Sequence, residues 1–220
     1  MPARNSIKQY IENSYYHIYN RGVEKRLIFL DEQDYAVFLS YLKEYLLPKN
    51  EKHLTEKLAD AHTSYKEKDK ILKLLRLNNF AEEITLLAYC LMPNHFHFFI
   101  KQKSANSIDR FMQSIGSRYT IYFNRKYKRV GSLFQAVYKA VLVTSEEQFL
   151  HLSRYIHKQA LPSQPSSYQE YLGKRQTKWI HPEDILSYFS KTNLNLSYQS
   201  FVEQEEDITS IADILLEIDD

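Results

Sequence analysis

Two spacings of hydrophobic residues alternate along the chain, and each change of spacing predicts a change of secondary structure. Residues 15–30 begin as a β-rich run that meets the turn signal Asn20-Arg21-Gly22, which predicts an opening strand. After Asp31, apolar residues recur at helical spacing, which predicts a helix that begins at a capping aspartate and ends near Pro48. The recurring residues are Tyr35, Phe38, Leu39 and Leu42.

The middle of the chain predicts surface helices followed by a hairpin. Residues 49–80 are rich in Lys and Glu with apolar residues three or four apart, which indicates one or two inserted surface helices. Residues 84–92 form a continuous apolar run, Pro93-Asn94 is a turn signal, and residues 95–101 return as the second arm. Asn106 or Ser107 can then cap a helix with a 3.6-residue period, and residues 133–143 alternate as a further strand.

This order of elements predicts the fold class. Strand, helix, strand, strand, helix, strand is the ferredoxin-like (RRM-like) α+β pattern. We therefore expect an antiparallel sheet with helices packed on one side, and the histidines at 95 and 97 on a central strand. Tyr119 and Tyr122 follow the helical period and are expected to be core residues.

A further helix is marked by a capping box. Ser145 and Gln148 have the spacing in which a serine hydroxyl and a glutamine side chain satisfy the first backbone N–H groups, and Pro162 should close the helix. His151, Tyr155 and Gln159 are spaced by four and share one face, while an apolar stripe docks the helix. The stripe consists of Phe149, Leu152 and Ile156.

We expect one domain over residues 1–190, with the helical insertion at about 49–80, and an acidic tail over residues 191–220. The tail contains Ile208, Ile211, Ile214 and Leu215, which can form an amphipathic helix. The chain has 220 residues, of which 44% are apolar, and its only cysteine, Cys90, excludes an internal disulfide framework. No apolar leader or membrane-length run is evident, so a cytoplasmic protein without membrane contact is expected.

Charge is unevenly distributed although the net charge is only +2. Residues 101–139 are strongly basic and carry interleaved aromatic residues, a combination typical of single-stranded nucleic acid binding. The same pattern also suits a solvated helix face above an aromatic core. The expected phosphate contacts are Arg118, Arg125, Lys126 and Arg129.

The tripeptide His95-Phe96-His97 suggests a metal site. Side chains alternate along a strand, so both imidazoles lie on one face, although paired strand histidines are more often packed without metal. Tyr155 and Gln159 lie on one helix face, and their presence favours a metal site over simple packing of the two histidines. A divalent ion held by the histidines, a tyrosine nucleophile and an amide oxygen as third ligand together form a phosphodiester-cleaving site.

Longer motifs carry a resemblance to a known family. They comprise Leu91-Met92-Pro93-Asn94 before the histidine pair, Tyr122-Phe123-Asn124-Arg125, Gly131-Ser132-Leu133-Phe134-Gln135 and Arg154-Tyr155-Ile156-His157, together with the opening Tyr16-His17-Ile18-Tyr19-Asn20-Arg21-Gly22 and the downstream Ser166-Ser167-Tyr168. Over residues 15 to 190 the chain resembles the single-tyrosine HUH transposases, which are insertion-sequence 200-like enzymes. The REP-associated tyrosine transposases are the most similar branch.

The resemblance implies a role for each matching residue. His95, His97 and Gln159 would bind Mg²⁺ or Mn²⁺, and Tyr155 would be the nucleophile. Family members cut single-stranded DNA near hairpins, leaving a 5′-phosphotyrosine and a 3′-hydroxyl, and act as homodimers or monomers. This chain departs from the usual Asn-Pro after the tyrosine segment, since it has Gln159-Ala160 and reaches proline only at Pro162.

Other readings remain open. A rolling-circle replication initiator also places its histidine pair before the tyrosine, and a non-catalytic module could use the sheet and basic helix for structure-specific DNA or RNA binding. A histidine-triad hydrolase lacks support because Phe99 stands where a third alternating histidine would be needed. Asn20 and Arg21 are candidate DNA contacts, although a structural turn would also explain them. His151 is a weaker candidate for the site, and His157 is expected to flank it.

Overall fold

The computed structural model describes residues 10–160, 164–204 and 211–212. Within these residues four strands, β1 (Tyr15–Arg21), β2 (Ile84–Met92), β3 (His95–Gln102) and β4 (Lys139–Leu142), form one sheet. Its order is β2-β3-β1-β4, and every neighbouring pair is antiparallel. This is the ferredoxin-like arrangement, so the predicted α+β class is confirmed. Strand β3, which carries the histidine pair, is internal.

Helices connect the strands at the predicted places. They are α1 (Glu32–Leu46), α2 (Glu51–Ala59), α3 (Tyr65–Arg76), α4 (Ser107–Lys126), α5 (Glu146–Gln159), and the short α6 (Tyr168–Tyr171), α7 (Glu183–Leu186) and α8 (Tyr198–Glu203). The Asp31 and Ser145 side chains cap α1 and α5 by accepting the N–H groups of Asp34 and Gln148. Helices α2 and α3 confirm the helical insertion. None of the described helices is long and apolar enough to cross a membrane.

The first core lies on one face of the sheet. Phe96, Phe98 and Ile100 of β3 are buried against α1 and α4. Tyr119 is fully buried and its hydroxyl donates to the Ile28 carbonyl, whereas Tyr122 is half-buried. Burying a large apolar side chain contributes about 1.5–3 kcal/mol, so this face supplies much of the folding free energy.

A second core covers the opposite face, which corrects the expectation that the helices pack on one side only. Phe99 of β3 and Cys90 of β2 pack against Phe149, Leu152 and Ile156 of α5. Residues from α6, α7 and α8 complete this layer. The continuous apolar run of β2 is the sequence signal for this arrangement, because a strand buried on both faces has no polar alternation.

The final strand is shorter than predicted. Strand β4 covers only Lys139–Leu142, whereas residues 133–143 were expected to be extended. Before β4 the chain crosses the end of β1, where Phe134 forms an isolated bridge with Gly22 and Gln135 N donates to the Arg21 carbonyl. Only the last residues of the alternating run therefore join the sheet.

The two-residue turn Pro93-Asn94 joins β2 to β3. The Pro93 carbonyl accepts from Ile28 N at 2.8 Å and Phe29 N at 3.0 Å, and the Asn94 carbonyl accepts from Gly22 N at 2.8 Å. The turn is thus fixed from the side of the first core, and with it the starting position of the histidine pair.

The C-terminal part of the described chain packs on the second core through Tyr198 and Val202 of α8. The predicted tail residues Ile208, Ile214 and Leu215, and the predicted helix end at Pro162, lie outside the described residues. The domain boundary at residue 190 stays a prediction.

Candidate active site

His95 and His97 project from β3 toward the second core, on the side of the sheet that we call the histidine face (His95, His97 and Phe99 of β3 with their neighbours in register). Their rings are perpendicular with centroids 5.0 Å apart. His97 is fully buried and His95 is half-buried. On β1, Arg21 lies in register with His95 and Tyr19 with His97.

A third histidine, to which the sequence had assigned no role, belongs to this cluster. His17 on β1 is fully buried, and its Nε2 lies 2.8 Å from His97 Nδ1. The two rings stack with centroids 5.1 Å apart. The available signal was the alternation in Tyr15-Tyr16-His17-Ile18-Tyr19, but only the pairing of β1 with β3 places His17 beside His97.

Tyr155 of α5 lies above these histidines. Its ring is perpendicular to that of His97 at a centroid distance of 5.5 Å, and 6.3 Å from that of His17. Leu152 and Ile156 on the same helix are fully buried and dock it onto the sheet. The predicted approach of Tyr155 to the histidine pair is therefore present at His97.

Gln159 is the last residue of α5, one turn beyond Tyr155 and half-buried. Its assignment as a third ligand stays a prediction. Within the described residues no group of three or more His, Cys, Asp or Glu side chains could hold a metal ion. Any ion bound here would therefore need a ligand of another type, such as an amide oxygen.

The electrostatics of His97 suit a cation ligand. Burial, followed by the neighbouring His17 and His95, holds the pKa of His97 well below its usual value, so the ring is neutral at physiological pH. Its Nε2 is buried, and no hydrogen-bond partner for it exists among the described residues. A buried unsatisfied nitrogen costs about 1–3 kcal/mol, which a divalent cation would offset.

The two β1 candidates for DNA binding lie on different faces of the sheet. Arg21 shares the histidine face and its Nε donates to Gln135 Oε1 at 2.6 Å. Asn20 lies in register with Phe96, and its amide donates to the Ala136 carbonyl at 3.2 Å. Arg21 is thus beside the site, while Asn20 holds the segment before β4.

The basic residues of α4 lie across the sheet from the histidine face, since α4 packs on the first core. Two of them have intramolecular partners. Arg118 Nη2 is 2.7 Å from Glu44 Oε2, and Lys126 Nζ lies 2.7 Å from Asp31 Oδ1 and 2.8 Å from Asp34 Oδ1.

Arg125 is exposed, and Arg129 donates to Asn124 Oδ1 at 3.1 Å. The DNA-binding role of all four α4-region residues stays a prediction. The ion pairs of Arg118 and Lys126 give those two a structural role as well.

The remaining histidines of α5 point elsewhere. His157 is buried where α5 meets α8 and the segment before α6, with Nδ1 2.6 Å from the Tyr198 hydroxyl and Nε2 2.8 Å from Ser167 Oγ. His151 contacts an Arg154 guanidinium nitrogen at 2.8 Å through Nδ1. Its ring lies 5.4 Å from that of Phe201.

Comparison with known proteins relates the segment that carries this site to a protein family. Residues 56–159 match the family model described as "Transposase IS200 like". The resemblance to the IS200-like transposases is confirmed. The matched segment is just under half of the chain; it contains His95, His97, Tyr155 and Gln159 and begins after β1. The match to the IS200-like family indicates a transposase.

One solved structure found by the comparison is titled as a REP-associated tyrosine transposase bound to a REP hairpin. It is 10% identical, the alignment covers 92% of this chain and 99% of that chain, and the TM-score is 0.45. No curated protein sequence matches the chain.

Proposed function

We propose that this IS200-like protein is a metal-dependent single-stranded DNA transesterase that acts in DNA transposition. It would cleave and rejoin DNA at hairpin-associated sites through a 5′-phosphotyrosine on Tyr155. The observation that carries the proposal is the position of Tyr155, whose ring lies 5.5 Å from that of His97. Among the described residues the buried Nε2 of His97 has no hydrogen-bond partner, which supports a cation ligand at this position.

His95 and His97 would hold Mg²⁺ or Mn²⁺, with Gln159 as the third protein ligand. When bound, the ion would polarise the scissile phosphate and stabilise the charge that develops on its oxygens. The neutral state of His97 favours this role, because only the neutral imidazole has a lone pair for a metal.

Tyr155 would act as the nucleophile. Its phenolic oxygen loses its proton and forms a bond to phosphorus, while the bond from phosphorus to the 3′-oxygen breaks and that oxygen takes up a proton. The downstream strand is then attached to the protein through its 5′-phosphate. Attack by a free 3′-hydroxyl reverses the step, so rejoining needs no external energy source.

The histidine face also offers cations for the DNA backbone. Arg21 lies in register with His95, and the exposed Lys139 of β4 lies opposite Tyr19. These two side chains flank the histidines on the same side of the sheet. We assign them to the phosphates next to the scissile one. Arg125 and Arg129 at the end of α4 would contact more distant phosphates, and Asn20, Arg118 and Lys126 remain weaker candidates for the same purpose.

A covalent trapping experiment tests the proposal. A single-stranded oligonucleotide containing a hairpin from the DNA that flanks the gene, labelled at its 3′ end, is incubated with the protein and Mg²⁺ or Mn²⁺. We expect a labelled adduct that survives denaturation. Tyr155→Phe should bind the oligonucleotide with unchanged affinity and give no adduct, while the exposed tyrosine variant Tyr188→Phe serves as the matched control.

Two outcomes would contradict the proposal. An adduct formed by Tyr155→Phe would show that another residue is the nucleophile. Binding without any adduct in the wild type, with either ion, would favour a non-catalytic binding module. Religation of the adduct by a second oligonucleotide bearing a free 3′-hydroxyl would separate strand transfer from simple nicking. Cytoplasmic action and the choice between homodimer and monomer stay predictions.

A further inference from the structure

Both imidazoles of the histidine pair are held by protein groups at the same ring atom. His95 Nδ1 lies 2.6 Å from Asn94 Oδ1, and His97 Nδ1 lies 2.8 Å from His17 Nε2. In each ring the other nitrogen, Nε2, is buried. Each ring therefore uses Nδ1 toward a protein group, which leaves Nε2 as its candidate metal-binding nitrogen.

The proton on His95 can be placed from the orientation of the Asn94 amide. Asn94 Nδ2 donates to the Lys25 carbonyl at 3.4 Å, so Oδ1 is the amide atom that faces His95. A carbonyl oxygen only accepts hydrogen bonds, so His95 Nδ1 must carry the proton. The lone pair of the neutral ring is then on Nε2.

The pair formed by His17 and His97 has two arrangements. If His17 Nε2 donated, His97 would carry its own proton on Nε2, where it would be a buried donor without a partner among the described residues. If His97 Nδ1 donates, His97 Nε2 has a lone pair like that of His95. Orphaned buried N–H groups are rare, and metal-ligating histidines commonly donate their other N–H to a protein acceptor.

We propose that His17, acting in parallel with Asn94, is a positioning residue that fixes the ring and the tautomer of His97 for cation binding. This inference rests on the proposed function, because it assumes that the histidine pair holds a divalent ion. His17 lies outside the segment matched by the family model. It is fully buried and stacks on the His97 ring, so it also fixes the ring against which Tyr155 packs.

The first test measures the affinity for Mn²⁺ alone, from the electron paramagnetic resonance signal of free Mn²⁺. Removing a second-shell acceptor from a metal-bound histidine costs about 10–100-fold in affinity. We expect that loss for His17→Phe, which keeps a planar ring but no acceptor. His17→Gln places an amide oxygen near the former Nε2 and should restore most of the affinity.

The second test needs no substitution. Long-range ¹H–¹⁵N correlation spectra of the metal-free wild type report which nitrogen of each histidine is protonated. We expect protonation of His97 and of His95 at Nδ1. Protonation of His97 at Nε2 would overturn the inference even if the protein binds Mn²⁺.

Controls separate a failure of this inference from a failure of the proposed function. Ile18→Val, on β1 but in the first core, should leave Mn²⁺ affinity unchanged and shows that the readout does not follow general damage to the strand. If His97→Ala abolishes Mn²⁺ binding while His17→Phe retains wild-type affinity, the positioning role is wrong and the metal site stands. If the wild type binds no Mn²⁺, both fail.

Discussion

His97 of β3 and His157 of α5 are both buried, and they differ in how their ring nitrogens are satisfied. Both nitrogens of His157 have hydrogen-bond partners, the Tyr198 hydroxyl and Ser167 Oγ. His97 has one partner, His17, while its Nε2 has none among the described residues. A completed buried network stabilises a fold, whereas an incomplete one in the same protein indicates a place kept for a ligand.

The His157 network closes around a neutral ring. His157 Nδ1 can donate to Tyr198, whose hydroxyl donates to Ser153 Oγ at 3.1 Å, while Ser167 Oγ donates to His157 Nε2. Burial lowers the pKa of His157 to about 3, in keeping with this neutral state. The network ties α5 to α8 and to the segment before α6. It thereby fixes the helix that carries Tyr155.

The largest expected effect comes from changing the histidine pair, where the hydrogen-bond network is incomplete. Replacing both His95 and His97 with Gln should reduce adduct formation by at least about 1000-fold, since both histidine ligands proposed for the ion are lost. The free energy of unfolding should fall by no more than about 1–3 kcal/mol, because the loss of the His97 partner of His17 is offset in part by removal of the unsatisfied His97 Nε2. Adduct assays and urea unfolding measure the two quantities. Retained cleavage would overturn the metal assignment.

A change at His157, where the hydrogen-bond network is complete, should lower stability and leave metal binding intact. His157→Leu removes two buried hydrogen bonds, those to Tyr198 and Ser167, and we expect a loss of about 1–3 kcal/mol of unfolding free energy. Mn²⁺ affinity, measured under conditions where the variant is fully folded, should remain within about twofold of wild type. Tyr198→Phe is the matched control and should cost about 1 kcal/mol. A stable His157→Leu variant that cannot bind Mn²⁺ would show that His157 contributes to metal binding and that its role is not purely structural.

The stability should depend on pH through the same residue. His157 is neutral in the folded state, with a pKa of about 3, and its ordinary value is 6.5. Between these values only the unfolded chain binds the proton, so stability present above pH 6.5 is lost progressively as the pH falls toward 3.

His97, whose pKa is also lowered, adds a dependence of the same sign. Urea unfolding at pH 7 and pH 5 should therefore show lower stability at pH 5. The decrease should be smaller in His157→Gln. An equal decrease in that variant would contradict the assignment of the pH dependence to His157.

The smallest expected effect concerns DNA binding away from the site. Arg125→Ala should lower the salt slope of oligonucleotide affinity by about 1, the value for losing one phosphate contact. Arg118→Ala should change the slope less, because Arg118 is already paired with Glu44 and lies over the Tyr41 ring. Binding titrations at several salt concentrations measure both slopes. Equal slopes for Arg118→Ala and Arg125→Ala would show that the ion pair does not withhold Arg118 from DNA.

Local patterns predicted much of this molecule. The caps of α1 and α5, the hairpin of β2 and β3, and the common face of His95 and His97 all follow from spacings within about ten residues of sequence. The approach of Tyr155 to His97 was also predicted, because its helix has an apolar stripe that must dock somewhere.

The remainder depends on contacts between distant segments. The role of His17 follows from the register of β1 against β3, which no local pattern specifies. The partners of Arg118 and Lys126 lie on α1 and at its capping residue, so a basic run alone could not distinguish a phosphate contact from an ion pair. The sequence analysis did not predict helices on both faces of the sheet. The order of strands and helices already matched a complete ferredoxin-like unit, which has its helices on one face.

The turn at Pro93-Asn94 sets a limit on which changes of chain length this protein can tolerate. Its carbonyl groups are bonded to Gly22, Ile28 and Phe29, so β3 must begin at a fixed place. Inserting or deleting one residue there would exchange the two faces of β3. Phe96 and Phe98 would then point toward Tyr155, and the histidines would enter the first core. Substitutions in this turn can be absorbed by side-chain adjustment, whereas a single-residue insertion or deletion would remove the site in one step.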